Sequence, residues 1–433
     1  MLLQLLIVLL FIYLGARIGG IGIGFAGGAG VVVLTTIFGL DAGSIPIDVI
    51  LIIASVISAI AAMQIAGGMD WLVQLAEQFL RKNPKRITFY APIVTYFMTL
   101  LAGTGHTAFS TLPIIAEVAK EQGVRPSRPL SIAVIASQIA ITASPISAAV
   151  VFFSGLLKPL GVSYLTLLAI CIPTTFIACM VGAFVANFLG CELKDDPEYQ
   201  DRMAKGLIKL KGQQKREKAT GAAKLSVYIF CLAIVCVVTY ATLISPTVGV
   251  ITHPHIVLTQ AIMALMLTAA AAIVLLCKVD ASKIASAPTF RSGMSACICV
   301  LGVAWLGDTF VSAHIVEIKH FAGDLLQQYP WMLAITLFFA SMLLYSQGAT
   351  TTALMPAALA VGVAPLTAIA SFAAVSALFV LPTYPTLLAA VEMDDTGSTR
   401  IGKLVFNHPF MIPGVITIAT SVALGFVFGG FLL

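Results

Sequence analysis

Inside an apolar run over residues 87–118, the sequence breaks at Ala102-Gly103-Thr104-Gly105-His106-Thr107, with Pro113 close behind. A matching interruption, Ser346-Gln347-Gly348-Ala349-Thr350-Thr351-Thr352, lies in the second half of the chain and is followed by Pro356. A bilayer offers no water to satisfy opened backbone, so such breaks survive only where they are buried in protein or line a wet cavity. Two interruptions in corresponding places of two halves point to the binding site of a carrier.

The rest of the chain supports a membrane setting. Of 433 residues, 59% are hydrophobic and 10% charged, and the mean hydropathy is +1.03. The apolar runs are far longer than barrel strands need, so the expected class is an all-α polytopic membrane protein. The first run lacks a basic leader and a cleavage pattern and reads as a retained span. Six of the eight cysteines lie inside apolar runs without metal spacing, which argues against both disulfides and a metal site. The glycine run Gly19, Gly20, Gly22, Gly24, Gly27, Gly28, Gly30 suits close helix packing. Its nucleotide-loop reading lacks the surrounding strand–helix alternation.

Taken in order, residues 1–190 read as a first repeat. It has spans at 2–17, 21–38 and 48–67, a re-entrant hairpin at 87–122, a broken span at 130–155 and a span at 164–190. The hairpin arms are too short to cross a core of about 30 Å singly. Residues 70–80 space their apolar positions as an interfacial amphipathic helix, with Asp70 as its N-cap. Residues 191–224 form a charged linker, solvated rather than docked. Residues 225–433 repeat the plan: spans at 225–244, 256–277 and 292–311, a polar stretch at 312–328, a hairpin at 331–363, a broken span at 365–391 and a span at 410–432. Landmarks recur at offsets of 238 (Asp70 to Asp308), 243 (Pro113 to Pro356) and 240 (Pro145 to Pro385), as an internal duplication requires.

Five crossings per half, an odd number, invert the second repeat relative to the first. On that topology 22 of the 24 Lys and Arg residues share one side, and only Lys158 and Lys319 fall on the other. The positive-inside rule makes the first side cytoplasmic and turns both termini outward.

Two tips and two broken spans then meet near the midplane. Helix N-termini present free N–H groups and partial positive charge, which favour anions. Thr107 and Thr350 are expected to start half-helices after the tips, and Pro145 and Pro385 after the breaks. The candidate substrate ligands are Thr104, Gly105, His106 and Thr107; Thr142, Ser144, Pro145 and Ser147; Ser346, Gln347, Gly348, Thr350 and Thr351; and Thr383, Tyr384 and Thr386. Opposed N-termini suit a small ligand with two carboxylates, while freed carbonyls suit a small cation. Each lone Ser or Thr also has a plainer reading, a hydroxyl bonded to its own backbone. His106, whose repeat mate is Ala349, either donates to a carboxylate or carries a proton, or packs the tip. Asp308 reads as a coupling acid or, like Asp70, as a cap. Arg17 reads as a substrate partner or as the cytoplasmic anchor of the first span.

The stretches LLAGTGHTAFSTLPIIAEVAKEQGV (100–124), SQIAITASPISAAVV (137–151), GMSACICVLGVAWLGDTFVS (293–312) and LPTYPTLLAAVEMDDTGSTRIGKLVFNHPF (381–410) resemble the anaerobic C4-dicarboxylate transporters of the Dcu A/B type, within the ion-transporter superfamily. The resemblance runs end to end. It implies a secondary carrier exchanging fumarate, succinate, malate and aspartate across the inner membrane, as in fumarate respiration, with cation- or proton-coupled uptake as a second mode. It also implies a homodimeric elevator with no cofactor. The superfamily's Ser-Asn-Thr tip signature is absent here, so the resemblance does not extend to sodium sites at the tips. The expected partners are the substrate and membrane lipid, and no nucleic acid. Three rival readings are a channel for small organic anions, an intramembrane enzyme, and a membrane partner of a sensor kinase docking on an exposed loop at 392–400. The spans hold no nucleophile–base pair or acid dyad for an enzyme.

Overall fold

The computed structural model describes residues 1–18, 21–45, 47–208, 219–244, 250–344, 346–381, 384–402 and 406–433, and leaves out the side chains of a few more, His106 among them. Among the described residues the regular structure is all helix, without a strand. Six of their helices are long and apolar enough to cross a membrane, or seven if one bent pair counts as a span. The remaining apolar helices run to 10–17 residues.

α1 (Leu2–Ile18) and α2 (Gly22–Thr36) have 17 and 15 residues, about 26 and 23 Å at 1.5 Å per residue. α2 crosses α13 (Pro288–Gln328) through its glycines. A Cβ on Gly24 would lie 2.2 Å from the Ile298 carbonyl oxygen, and one on Gly27 2.3 Å from the Gly302 carbonyl carbon. Gly24 and Gly27 thus serve helix contact, while Gly28 faces open space.

α3 (Ile47–Ile65) turns by 73° into α4 (Gly68–Lys82). Gly67 makes the corner at φ +83°, a left-handed conformation that strains other residues. On α4, Met69, Val73, Ala76 and Leu80 are buried along one face, while Asp70, Gln78 and Lys82 are exposed. The amphipathic helix is present, but its cap is Gly67. Asp70 lies inside the first turn, where its charge still favours the helix N-terminus.

The first hairpin consists of α5 (Ile87–Ala102), a tight turn at Gly105–Thr107, and α6 (Ala108–Glu121). The first broken span is α7 (Ser127–Ile139), a 3-10 turn at Ala140–Ala143, and α8 (Ala148–Leu157). α9 (Tyr164–Asn187), the short α10 (Pro197–Ala204), α11 (Gly221–Leu243) and α12 (Leu258–Leu276) follow. Beyond α13 come the arms α14 (Met332–Leu344) and α15 (Gln347–Ala360). α16 (Pro365–Ser371), a 3-10 stretch Phe372–Phe379 and α17 (Pro385–Met393) form the second interrupted helix, and α18 (Met411–Leu432) ends the chain.

One departure concerns the second half. α13 is two helices joined across a kink at His314 (φ −121°, ψ 18°): a span up to the kink, and a second helix that carries most of the polar stretch at 312–328. Asp308 lies inside the first of them, six residues before the kink, and caps neither. Its carboxylate accepts from the Ser44 amide at 2.6 Å and the Ser44 hydroxyl at 3.0 Å, pinning the loop ahead of α3.

The core is built around α7, in which every residue but Arg128 is buried, and around Phe372–Phe379, buried throughout. A helix apolar on all sides belongs in the middle of a bundle. α7 packs against α5, α6, α9, α17 and α18, so both hairpins and both broken helices share it as a neighbour or lie one helix away.

Charged residues gather at one end. Asp196 is fully buried and takes Arg125 at 2.6 Å and Arg400 at 3.2 Å. Lys120 pairs with Asp395 at 2.9 Å, and Arg128 with Glu192 at 3.0 Å. Asp196 anchors the first part of the linker, whose other described residues are mostly exposed, as a solvated segment requires; residues 209–218 lie outside the described residues. The loop at 392–400, by contrast, is not an exposed surface. Asp394 is buried and accepts from the amides or hydroxyls of Thr396, Ser398 and Thr399, folding the loop on itself.

Candidate functional site

The first tip begins where α5 ends at Gly103, left-handed at φ +65°. Thr107 opens α6, as the sequence suggests, but its hydroxyl does not cap the helix. It pairs with the Thr99 hydroxyl at 3.1 Å and reaches the Thr104 carbonyl at 3.3 Å. An added Cβ on Gly105 would lie 3.0 Å from the Ser137 carbonyl oxygen, so the tip presses on the end of α7 and only glycine fits without displacement. The His106 side chain lies outside the description.

The second tip reaches the same place. The Gln347 amide donates to the Gln138 carbonyl at 3.0 Å, one residue along from the Gly105 contact. The half-helix starts at Gln347, not at Thr350. Ser346, in extended backbone, caps it by accepting from the Ala349 amide at 3.1 Å. Thr350 lies a turn further in, where a threonine hydroxyl bonds the carbonyl four residues back: Thr350 to Ser346 at 2.8 Å, Thr351 to Gln347 at 2.6 Å.

In the first break, Ser144 donates to the Leu100 carbonyl at 2.7 Å and ties the break to α5. α8 starts at Ala148 with Ser147 as cap, accepting from the Val150 amide at 3.2 Å. Pro145 is therefore not the helix start. It occupies the second position of a turn closed by the Ser147 amide on the Ser144 carbonyl at 3.2 Å, a position that uses the same fixed φ. The Tyr164 hydroxyl donates to the Pro145 carbonyl. Thr142 bonds its own backbone at Ile139 (2.7 Å).

In the second break, Pro385 does open α17, with Tyr384 as the preceding residue. Thr383 lies outside the described residues. The Ser376 hydroxyl donates to the Gln138 carbonyl at 3.4 Å, and the Ser341 hydroxyl to the Ala374 carbonyl at 3.1 Å. Thr386 is fully buried, and its hydroxyl has no hydrogen-bond partner among the described residues.

Two expected residues lie apart from this centre. Arg17 is exposed in the last turn of α1, and Asp308 is committed to Ser44. Two residues went unrecognised in the sequence. Gln138 is 1% exposed, and both ends of its side-chain amide lack a partner among the described residues. The signal was a glutamine within an apolar span two residues before a break. His408 donates from Nε2 to the Val380 carbonyl at 3.2 Å beside the second break. Its distance in sequence from the break concealed it.

Most site hydroxyls are thus spent on backbone carbonyls. What remains for an anion is the N-terminal charge of α6, α8, α15 and α17, together with the unpaired groups of Gln138 and Thr386. An open cleft of about 630 Å³ runs between α4, α6 and the start of α11, bordered by Asp70, Gln74, Phe109, Ser110 and Thr220.

Long apolar helices with interruptions between them define a polytopic membrane protein. The family model described as anaerobic C4-dicarboxylate membrane transporter matches residues 1–433, and the chain belongs to that family. It is 68% identical over 430 residues to a C4-dicarboxylate transporter DcuA of Wolinella succinogenes, covering 99% of each chain. It is 59% identical over 431 residues to DcuA of Escherichia coli (strain K12), again covering 99% of each. It is 37% identical over 438 residues to an anaerobic C4-dicarboxylate transporter DcuB of Escherichia coli O6:H1, covering 98% of this chain and 97% of the relative. These relatives are transporters by name, and on that ground the chain is a transporter and not an enzyme.

Proposed function

We propose that the protein exchanges C4-dicarboxylates across the bacterial inner membrane, binding them where the two hairpin tips and two broken helices meet. The observation that carries this reading is the convergence of Gly105 and Gln347 on consecutive carbonyls, Ser137 and Gln138, at the end of α7. The N-termini of α6, α8, α15 and α17 supply diffuse positive charge, which suits a doubly charged small anion that must be released again. The names of the relatives supply the four-carbon class. Fumarate, succinate, malate and aspartate are the proposed substrates, with cation or proton coupling as a second mode.

The architecture we propose is a pair of inverted repeats split by the linker at 191–224, working as a homodimeric elevator with both termini periplasmic. One repeated contact favours duplication. The Thr95 hydroxyl of α5 donates to the Ala133 carbonyl at 2.8 Å, and the Ser341 hydroxyl of α14 to that of Ala374 at 3.1 Å. Each joins the first arm of a hairpin to the first part of a broken span, and the two carbonyls are 241 residues apart.

The test is counterflow of labelled succinate in proteoliposomes, competed by fumarate, aspartate, citrate and lactate, with and without sodium. Saturable exchange with competition by fumarate and aspartate is expected. Lactate competing as well as fumarate would remove the two-carboxylate cradle, and flux without an exchange partner would favour a channel.

A further inference from the structure

Gln138 is held in place by its main chain and left idle by its side chain. Its carbonyl accepts from Gln347 of the second tip and from Ser376 of the second interrupted helix. Its neighbour Ser137 carries the close contact with Gly105 of the first tip. Three of the four site elements therefore fix this one turn of α7. Yet the carboxamide is buried to 1% exposure with neither its NH2 nor its oxygen bonded to any described residue, while neighbouring hydroxyls of Ser137, Thr142, Ser144 and Ser147 all find carbonyls. A buried amide with both ends unpaired is costly in a folded protein unless something else completes it.

The missing partner has a defined chemistry. A carboxamide offers two N–H donors and one acceptor oxygen. A plain dicarboxylate satisfies the donors and leaves the oxygen bare. A four-carbon acid with a hydroxyl or ammonium group beside its carboxylate satisfies both ends at once. We propose that Gln138 is a substrate-binding residue that reads the C2 substituent, favouring 2-amino and 2-hydroxy C4-dicarboxylates over unsubstituted ones. This rests on the proposal that the site binds C4-dicarboxylates. It follows the general rule that a buried group built to bond a substrate OH or NH discriminates against analogues lacking it.

The experiment compares wild type, Gln138→Leu and the unbranched Gln138→Met in proteoliposome counterflow with labelled succinate, competed by aspartate, malate, fumarate and unlabelled succinate. In both variants the half-inhibitory concentrations of aspartate and malate should rise by about tenfold relative to those of fumarate and succinate, the value of one hydrogen bond to a polar or charged group. Equal shifts for all four acids, or none, overturn the assignment. The melting temperature without substrate is a second readout. An amide unpaired in the empty protein gives variants at least as stable as wild type, whereas a lower melting temperature in both would mark Gln138 as a structural prop. If wild type shows no counterflow with any of the acids, the transport reading itself fails. Wild-type counterflow with unchanged variant profiles sinks only the role of Gln138.

Discussion

Asp196 offers the sharpest test of how the two halves are fastened at their charged end. Its carboxylate is fully buried, 2.6 Å from Arg125 and 3.2 Å from Arg400, and it also accepts from the Glu198 amide at 2.9 Å as the cap of α10. Asp196→Ala leaves Arg125 buried without its counter-charge, a loss of about 3–5 kcal/mol for such pairs. Arg125 keeps its bonds to Ser127 and Cys191, which favours the lower end, about 3 kcal/mol. The lost cap adds about 1 kcal/mol. The Arg400 side chain is 51% exposed and contributes little more. Asp196→Asn keeps the cap and should fall between. A drop in melting temperature in detergent, with faster proteolysis within residues 200–220, is expected in the order Ala, Asn, wild type. The double substitution Arg125→Met with Asp196→Leu removes both charges and should recover most of the loss.

The same carboxylate predicts a pH profile. Burial alone would raise its pKa. The Arg400 hydrogen bond, the Glu198 amide and the charges of Arg125 and Arg400 outweigh burial and hold it below its ordinary 3.8. A depressed carboxylate stabilises fully above its unfolded pKa and loses that contribution as pH falls through its folded value. The wild-type advantage over Asp196→Asn should therefore be constant from neutral pH down to about 5 and vanish only in strong acid. Variants that melt with wild type at neutral pH, or an advantage lost between pH 7 and 5, would refute the buried pair.

Two other expectations follow from close contacts and caps. Gly302→Val puts a side chain where a Cβ already lies 1.9 Å from the Gly24 carbonyl oxygen. It should destabilise by about 3 kcal/mol or prevent folding, read as lost monodisperse protein in detergent. Ser346→Ala removes the α15 cap at a cost of about 1 kcal/mol and should slow exchange. Thr350→Ala removes only a bond within the helix and should leave exchange closer to wild type; equal effects in counterflow would contradict the placement of the cap.

Much of the architecture was legible because its causes are local. Apolar length marks membrane helices. α5 stops at Gly103, inside the first expected break, and the second falls at the front edge of its expected stretch, between Leu344, where α14 ends, and Gln347, where α15 starts. Thr107 and Pro385 stand at the helix starts inferred for them because proline geometry and helix-start chemistry act over a few residues. Gly67 took the corner that Asp70 was expected to cap, since a 73° bend needs a left-handed residue more than it needs a side-chain acceptor.

The sequence by itself determined that this chain is a bundle of membrane helices interrupted at matched places, because hydropathy and backbone freedom are properties of short segments. Only the tertiary structure decided which polar groups are spoken for. Asp308 is taken by Ser44, Ser144 by Leu100 and Asp196 by two arginines, each partner far away along the chain. Gln138 shows the converse, a side chain unremarkable in the sequence and left unpaired at the point where both tips arrive. Whether a polar group in an apolar interior is structural or available depends on the carbonyls and hydroxyls that packing brings to it, and no local pattern encodes that.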